Sequence, residues 1–331
     1  MNAPQLPLNF ADVVQAAQRL NGMAYRTPLL EFAPLNAACG GRVLVKAETL
    51  QRTGAFKFRG AYNYVASLDV QTLARGVATF SSGNHGQAVA LAAKLAGAKA
   101  TVIMPSDAPE LKIRGVRSHG ADLILYDRFT EDREAIAKSL VERTGAVFIS
   151  PYDDLLVMAG QGTLGLELME QAQALGAQVD VALVPCGGGG LISGVATAIK
   201  GVDARVQVYG VEPAECDDTR RSLVAGERLS NAPTARSICD SLLTPTPGKL
   251  TFAVNQHLLE AGLAVSDDEV KHAMRWAFEN LKLVIEPGGC VALAALLTGK
   301  LDLQQRTAAI VLSGGNVDPA FFANVLKEEE Q

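Results

Sequence analysis

The amino-acid sequence predicts an α/β fold of two domains, each a mostly parallel twisted sheet flanked by helices. Short apolar, β-branched runs alternate with longer helical patterns along nearly the whole chain, which is typical of βαβ units. The chain has 331 residues, more than one hydrophobic core usually holds. Hydrophobic residues make up 48% of it and charged residues 20%, which favours a folded protein with a large core.

Eight apolar runs have the length and composition of buried strands. They are residues 42–48, 77–81, 99–104, 121–126, 146–150, 180–186, 206–212 and 308–314. Three further stretches have a helical pattern, residues 84–97, 132–145 and 267–281. The first two end in glycine and the third has an acidic first turn, which are common features of helix termini.

The four strands between residues 77 and 150 follow one another at nearly even spacing. Residues 70–150 are therefore predicted to form one compact domain. Residues 1–69 and 151–331 would together form a second, larger domain that is discontinuous in sequence. The longest irregular stretch, residues 229–252, predicts a surface loop of the kind that sometimes closes over a substrate.

Charge and cysteine content argue against several classes of protein. The formal net charge is −5, and the lysines and arginines are scattered, so neither a nucleic acid nor an anionic membrane is expected as a partner. Five widely spaced cysteines (Cys39, Cys186, Cys216, Cys239 and Cys290) predict reduced thiols rather than a disulfide framework. Because no signal-peptide pattern or membrane-length apolar run is present, we expect a cytoplasmic protein.

A run of four glycines, Gly187 to Gly190, stands between a predicted strand and a helix in "VPCGGGGLISG". Such a turn lets bare backbone N–H groups and the helix N-terminus surround a phosphate. A merely tight turn is the alternative. The dinucleotide pattern G-x-G-x-x-G does not fit, although Glu212 stands roughly where a ribose-binding acid would lie and leaves a nicotinamide-dependent oxidoreductase open.

A second strand-to-helix turn, "SSGNHGQAVA", is unusually rich in polar side chains. Ser81, Ser82, Asn84 and His85 offer more hydrogen-bonding groups than one helix cap needs. The turn therefore predicts a binding site for an anion or a substrate carboxylate. A simple helix cap is the alternative.

Lys57 lies between Phe56 and Phe58 in "TGAFKFRGA". Taken alone, such a lysine most often extends its charge to water. A buried lysine of lowered pKa is instead nucleophilic enough to form a Schiff base. A phosphate cradle, a carboxylate-binding turn and such a lysine are together the parts needed to hold pyridoxal 5′-phosphate and an amino acid.

The order and spacing of "TGAFKFRGA", "SSGNHGQAVA", "PCGGGGLISG" and "LSGGN" resemble the pyridoxal-phosphate enzymes of the tryptophan synthase β-subunit fold type, fold type II. Within that group the motifs are most similar to the threonine/serine dehydratases and serine racemases. The resemblance implies β-elimination of a β-hydroxy amino acid such as L-serine or L-threonine to a 2-oxo acid and ammonia. Serine racemization, and dehydration of 3-hydroxyaspartate or phenylserine, are alternatives. It also implies a homodimer and a substrate-binding role for the small domain, residues 70–150.

The resemblance also implies roles for individual residues. Lys57, with Phe56 beside it, would be the Schiff-base lysine; Asn84 would bond the cofactor's ring hydroxyl; Gly187, Gly188, Gly189 and Gly190 would hold its phosphate; and Ser313 would meet its pyridine nitrogen. Ser82 matches the acid/base on the opposite face in serine racemases. Ser81, Ser82, Asn84, His85, Arg133 and Thr244 would contact the substrate.

A metal site is implied by the stretch "VEPAECDD". In similar proteins, Glu212, the carbonyl of Cys216 and Asp218 would bind Mg²⁺ or Ca²⁺, and oxygen-only ligands suit such hard cations. A solvated acidic loop is the alternative. The sequence departs from the family at "EPGGC", residues 286–290, where several relatives have Glu-Pro-Ser/Thr-Gly/Ala. This departure leaves the preferred substrate open.

Overall fold

The structure is a computed structural model, and it describes residues 6–81, 83–108 and 110–328. Its strands are β1 (Leu29–Glu31), β2 (Arg42–Ala47), β3 (Val77–Phe80), β4 (Ala100–Pro105), β5 (Asp122–Tyr126), β6 (Val147–Phe148), β7 (Val181–Pro185), β8 (Gln207–Pro213), β9 (Ala261–Val265) and β10 (Thr307–Leu312). They form two separate sheets. The chain is thus an α/β protein, as predicted.

Helices cover the faces of both sheets. They are α1 (Phe10–Leu20), α2 (Ala33–Cys39), α3 (Lys57–Ala66), α4 (Val70–Ala74), α5 (Asn84–Leu95), α6 (Glu110–Ser118), α7 (Arg133–Thr144), α8 (Leu155–Ala174), α9 (Gly190–Val202), α10 (Asp218–Ala225), α11 (Lys249–Leu258), α12 (Asp267–Trp276), α13 (Pro287–Leu297) and α14 (Pro319–Lys327). Short 3₁₀ turns span Glu48–Leu50, Arg52–Gly54, Ala214–Cys216 and Asp240–Leu242, and a π-helical turn spans Ala277–Leu281.

The larger sheet has six strands in the order β1-β2-β10-β7-β8-β9. Strand β1 is antiparallel to β2, and the other neighbours are parallel. The central strands are buried on both faces, which explains why their sequences are almost continuously apolar. Helices α8 and α9 cover one face of this sheet, and α13 covers the other.

The smaller sheet has four parallel strands in the order β5-β4-β3-β6. All four belong to the stretch for which a separate unit is predicted. The boundaries 1–69 with 151–331 and 70–150 stay a prediction about domains. In parallel sheets, ligands usually bind beyond the carboxyl ends of the strands, and the glycine run follows β7 while the polar turn follows β3.

Helix α8 packs closely against two other helices through glycines. A Cβ atom at Gly160 would lie 2.6 Å from the Cα of Gly60 in α3, and one at Gly162 would lie 2.7 Å from the carbonyl oxygen of Gly194 in α9. Asp154 caps the start of α8 by accepting hydrogen bonds from two backbone N–H groups. Helix α8 therefore joins the helix that carries Lys57 to the helix that follows the glycine run.

The eight predicted strands are all present, with ends shifted by at most two residues. Two strands were missed. Strand β1 has only three residues, and β9, "AGLAV", has small residues of low β propensity; both lie at sheet edges, where pairing with one neighbour fixes the strand. Among the described residues, no helix is long and apolar enough to cross a membrane.

Candidate active site

Lys57 is the first residue of α3, and the residues before it are fixed against the end of β10. The backbone N–H of Phe56 donates to the carbonyl of Ser313 at 3.0 Å, and Ala55 forms an isolated bridge with Gly314. The stretches "TGAFKF" and "LSGGN" are therefore neighbours, although more than half of the chain separates them. This pairing brings the start of α3 next to Ser313, the residue that follows β10.

The amine of Lys57 points into the protein. Its Nζ donates to the carbonyl oxygen of Pro151 at 2.6 Å and lies 5.2 Å from the centre of the Phe56 ring. Burial lowers the pKa of Lys57 from 10.5 to about 8, and the charge of Glu286 raises it in part. Because Nζ is bound to a backbone carbonyl of the protein, the structure argues against the surface interpretation of this half-buried residue, and its Schiff-base role stays a prediction.

The glycine run forms the turn between β7 and α9. Gly189 caps α9 in a left-handed conformation, with φ of 92°, which a residue with a side chain rarely adopts. A Cβ at Gly190 would lie 2.8 Å from the backbone of Tyr152, and one at Gly188 would overlap the Tyr152 ring. The loop therefore needs glycine for its close approach to Tyr152 as well as for its backbone angles.

Lys57 and the glycine run contact two adjacent residues, Pro151 and Tyr152. Lys57 bonds to the carbonyl of Pro151, and the next residue, Tyr152, packs against Gly188. An amine that is easily deprotonated and a set of unscreened backbone N–H groups at a helix N-terminus thus share one cleft. These are the two contacts that pyridoxal phosphate makes through its aldehyde and its phosphate, so the residues present fit this cofactor.

The polar turn after β3 begins helix α5. The hydroxyl of Ser81 accepts a hydrogen bond from the N–H of Gly83 at 3.1 Å, and α5 starts at Asn84 with no side chain capping it. The helix-cap interpretation of the turn is therefore not supported by the described residues. Ser82, predicted as an acid/base and a substrate contact, lies outside the described residues.

Asn84 is held by two residues from distant parts of the chain. Its Nδ2 donates to Glu286 Oε1 at 2.6 Å, and its Oδ1 accepts from Asn316 Nδ2 at 2.8 Å. Asn316 also donates to the carbonyl of Thr53. Since an amide nitrogen carries two hydrogens, one donor of Asn84 remains for a ligand. The orientation of the Asn84 side chain is thereby fixed.

Glu286 and Asn316 are two further candidate site residues, and the sequence did not predict either of them. Glu286 is 2% exposed, and burial and the charge of Asp240 raise its pKa to about 7. Both residues stand in motifs already singled out, "EPGGC" and "LSGGN". A glutamate that precedes Pro287 at a helix start looks like an ordinary helix terminus, and only the contact with Asn84 shows that it faces the cleft.

His85 lies in the first turn of α5 and is buried. Its Nε2 lies 3.3 Å from the carbonyl of Ile149, and its Nδ1 has no partner among the described residues. Burial, with the nearby charge of Lys57, lowers the pKa of His85 to about 3. The ring is thus neutral at physiological pH, so it offers a hydrogen bond rather than a charge.

Arg133 and Thr244, two predicted substrate contacts, are more exposed to solvent than Asn84 and His85. The guanidinium carbon of Arg133 lies 4.6 Å from the centre of the Phe80 ring, at the end of β3, and its side chain is exposed. Thr244 is half-buried, and its carbonyl accepts from Asn231. A substrate role for either residue stays a prediction.

The predicted metal ligands are buried rather than solvated. Glu212, at the end of β8, accepts from the N–H groups of Thr219 and Arg220 at 3.0 and 2.7 Å. Asp218, which begins α10, accepts from Asn231 at 2.7 Å through Oδ1, while its Oδ2 has no partner among the described residues. The alternative of a solvated acidic loop is therefore wrong for these two side chains.

The charges of Glu212 and Asp218 are incompletely compensated, because the charge of Arg221 acts on Asp218 but burial outweighs it. Burial and the charge of Asp218 raise the pKa of Glu212 to about 8, and burial raises the pKa of Asp218 to about 7. Cys216 lies in the 3₁₀ turn between them, so its carbonyl is available. The described residues contain no cluster of three metal-ligating side chains, but two carboxylates and a carbonyl fit a hard cation that keeps some of its water.

Comparison with known proteins identifies the family. Residues 20–314 match the family model described as "Pyridoxal-phosphate dependent enzyme". The chain belongs to this family. The nicotinamide interpretation of the glycine run is therefore discarded, and the loop belongs to a pyridoxal-phosphate enzyme.

Individual relatives indicate which kind of pyridoxal-phosphate enzyme the chain resembles. The chain is 42% identical to an L-threo-3-hydroxyaspartate ammonia-lyase of Pseudomonas sp over 96% of this chain and 98% of the relative. It is 39% identical to a serine racemase of Dictyostelium discoideum over 98% of this chain and 99% of the relative. The crystal structure of a T.th. threonine deaminase superimposes with a TM-score of 0.88 at 41% identity, covering 94% of this chain and 99% of that one. The chain is thus a fold type II enzyme of the ammonia-lyase and racemase type.

Proposed function

We propose that this chain catalyses pyridoxal-phosphate-dependent β-elimination of a β-hydroxy amino acid and releases a 2-oxo acid and ammonia. The observation that carries the proposal is the buried amine of Lys57, with its pKa lowered to about 8, held by Pro151 beside the glycine loop. The relatives that act on L-threo-3-hydroxyaspartate and on threonine support the same reaction class.

The residues of this chain would divide the work as follows. Lys57 would hold the cofactor, then remove the Cα proton of the substrate and keep that proton at Nζ. When bound, pyridoxal phosphate supplies electron withdrawal from Cα, which weakens that C–H bond. The β-hydroxyl would then leave as water with the proton held at Lys57 Nζ, which returns the amine to its neutral form, and hydrolysis of the released enamine gives the 2-oxo acid and ammonia.

Other residues would bind and orient the cofactor and the substrate. The N–H groups of Gly187, Gly188, Gly189 and Gly190 would hold the phosphate, and Asn84, fixed by Glu286 and Asn316, would direct its free N–H at the cofactor ring. Ser313 would meet the ring nitrogen with a hydroxyl rather than a carboxylate. Ser81, Ser82 and the neutral ring of His85 would bind the substrate carboxylate.

A substrate panel tests the proposal. Purified enzyme loaded with pyridoxal phosphate is given the L- and D-forms of serine, threonine, 3-hydroxyaspartate and phenylserine, and release of 2-oxo acid is measured. We expect turnover of at least one L-amino acid and none in Lys57→Ala. Full activity of Lys57→Ala, or no 2-oxo acid from any member of the panel, would refute it.

Serine racemization is the second candidate, and the relative from Dictyostelium discoideum favours it. Racemization needs a second acid/base on the face opposite Lys57, the place predicted for Ser82. Chiral analysis of serine recovered after incubation measures this activity directly. D-serine that appears together with pyruvate shows both reactions, and D-serine alone shows that racemization predominates.

We also propose that Glu212, the carbonyl of Cys216 and Asp218 bind Mg²⁺ or Ca²⁺, and that the enzyme works as a homodimer in the cytoplasm. The unpartnered Oδ2 of Asp218 supports the cation site. The five cysteines are free, as expected for a reducing compartment. Sedimentation equilibrium of the loaded enzyme tests the dimer.

A further inference from the structure

An ion pair joins the two walls of the candidate active-site cleft. Lys112 lies on α6, which flanks the smaller sheet, and its Nζ pairs with Oδ2 of Asp240. Asp240 begins a 3₁₀ turn in the irregular stretch 229–252. The next two residues of that turn line the cleft, because the hydroxyl of Ser241 lies against Gly288 and Leu242 lies against Gly187.

The amine of Lys112 lies against the predicted carboxylate-binding turn. A Cβ atom at Gly83 would be 3.5 Å from Lys112 Nζ, and Gly83 directly precedes Asn84. The Lys112 side chain is 12% exposed, whereas that of Asp240 is 49% exposed. The lysine is thus enclosed by the protein, while solutes can reach its carboxylate partner.

The charges of Lys112 and Asp240 both affect the pKa of a buried residue of the cleft. The charge of Asp240 raises the pKa of the buried Glu286 carboxyl, and the charge of Lys112 lowers it. Glu286 in turn bonds to Asn84. The ion pair therefore acts electrostatically on Glu286, and its lysine lies beside Gly83, the residue before Asn84.

We propose that Lys112 binds the second carboxylate of a dicarboxylic β-hydroxy amino acid, and that Asp240 occupies this position in the free enzyme. The inference rests on the function proposed above. One substrate carboxylate would bind the turn at residues 81–85, and the other, two carbon atoms away from it, would meet the amine beside Gly83. The incoming carboxylate replaces that of Asp240, so the enclosed amine is never left unpaired.

Arg133 is less suited to this role in the described structure. Its guanidinium is stacked on the Phe80 ring and its side chain is exposed. A substrate carboxylate there would meet a solvated charge, which contributes little to discrimination. A substrate with one carboxylate leaves the Lys112–Asp240 pair intact, so it is accepted without gaining the second contact.

Steady-state kinetics of the loaded enzyme test the proposal. For each variant we compare kcat/KM for L-threo-3-hydroxyaspartate with kcat/KM for L-serine. In Lys112→Met this ratio is expected to fall at least roughly tenfold, mainly through KM, since a charge-assisted contact is lost. In Asp240→Asn it is expected to rise, because the competing carboxylate is gone. Lys138→Met is the matched control, because it removes the same charge from an exposed position on α7.

Binding of L-aspartate, which lacks the β-hydroxyl leaving group, gives a readout independent of turnover. Its affinity is measured from the change in the cofactor's visible absorption, and it should weaken in Lys112→Met and strengthen in Asp240→Asn. Equal L-aspartate affinity in wild type and both variants overturns the role of Lys112. If no variant releases 2-oxo acid but L-aspartate binding still depends on Lys112, the proposed reaction fails and the carboxylate site stands.

Discussion

Two groups of polar residues lie on opposite sides of helix α3, and they differ in how their charges are compensated. Lys57 and Arg59 are two residues apart, so their side chains point about 200° apart around the helix. Arg59 belongs to a buried ion-pair cluster (Lys46, Glu48, Arg59 and Glu167). Lys57 belongs to the reactive group (Lys57, Asn84 and Glu286).

In the ion-pair cluster every charge has an opposite charge beside it. Arg59 donates to Glu48 and Glu167 at 2.7 to 2.9 Å, and Lys46 donates to Glu167 at 2.7 Å. Burial disfavours the charged guanidinium, but both glutamates outweigh it and raise the pKa of Arg59; bonds from Arg59 likewise lower the pKa of Glu167 despite burial. These groups stay ionised.

In the reactive group, burial determines the direction in which the pKa values shift. The pKa of Lys57 falls to about 8 and that of Glu286 rises to about 7, and the two side chains have no direct bond. Burial also lowers the pKa of Lys46, but the charges of Glu167 and Glu48 raise it in part, and Lys46 Nζ donates directly to Glu167. Lys57 Nζ donates instead to a backbone carbonyl. What distinguishes them is the missing carboxylate partner.

Replacing Lys57 gives the largest expected effect. In Lys57→Ala, activity should fall by at least about a thousandfold, because the nucleophile and the base are lost together. Lys57→Arg keeps the positive charge but not a neutral amine, so it should be equally inactive. Release of 2-oxo acid measures the activity, and reduction with borohydride followed by mass spectrometry measures cofactor attached to the chain. An active Lys57→Arg would show that charge, not nucleophilicity, is what the position supplies.

Breaking the ion-pair cluster should lower the stability of the fold rather than the activity. Arg59→Met leaves Glu48 and Glu167 buried without a cation and is expected to lower the free energy of unfolding by about 3–5 kcal/mol. The control is Arg42→Met, which breaks the more exposed pair with Glu31 and should cost below about 1 kcal/mol. Urea unfolding of the cofactor-free protein gives both values. Similar losses in the two variants would contradict the structural role of the cluster.

A third pair of charges, Glu212 and Asp218, extends the comparison, since both carboxyl pKa values are raised. Bound Mg²⁺ or Ca²⁺ would place an opposite charge beside both carboxylates, as Arg59 does for Glu48 and Glu167. At a hundredfold excess over its Kd the cation should stabilise the fold by about 2.7 kcal/mol, and a chelator should reverse this. Thermal unfolding measures the change. Asp218→Asn should abolish the response, and a response that persists would place the cation elsewhere.

The pH dependence of cofactor capture gives the smallest effect. Only the neutral amine of Lys57 attacks an aldehyde, so the rate at which cofactor-free protein captures pyridoxal phosphate should rise with pH around 8 and level off above it. Because the charge of Glu286 raises the pKa of Lys57, Glu286→Gln should shift the midpoint to lower pH. Stopped-flow absorbance follows the capture. A midpoint near 10.5, the ordinary value, would show that Lys57 is not desolvated.

The sequence predicts the fold and the local motifs better than the contacts between motifs. Strands such as β7 and β10 are recognisable because burial on both faces requires continuous apolar runs. The glycine run and Lys57 are recognisable because each is a short pattern with a local chemical meaning. The bond between Asn84 and Glu286 joins residues 202 positions apart, so no local pattern marks it. The same holds for Lys112 and Asp240.

The glycines of α8 determine more than packing. One of them packs against the helix that begins with Lys57, and another packs against the helix that follows the glycine run. Pyridoxal phosphate is a small rigid molecule with a fixed distance between its aldehyde carbon and its phosphorus atom. Helix α8 contacts both helices, so its packing helps to set the distance between Lys57 and the glycine run. A single added methyl group at Gly160 or Gly162 is therefore expected to change that distance, even with Lys57 and the glycine run left in place.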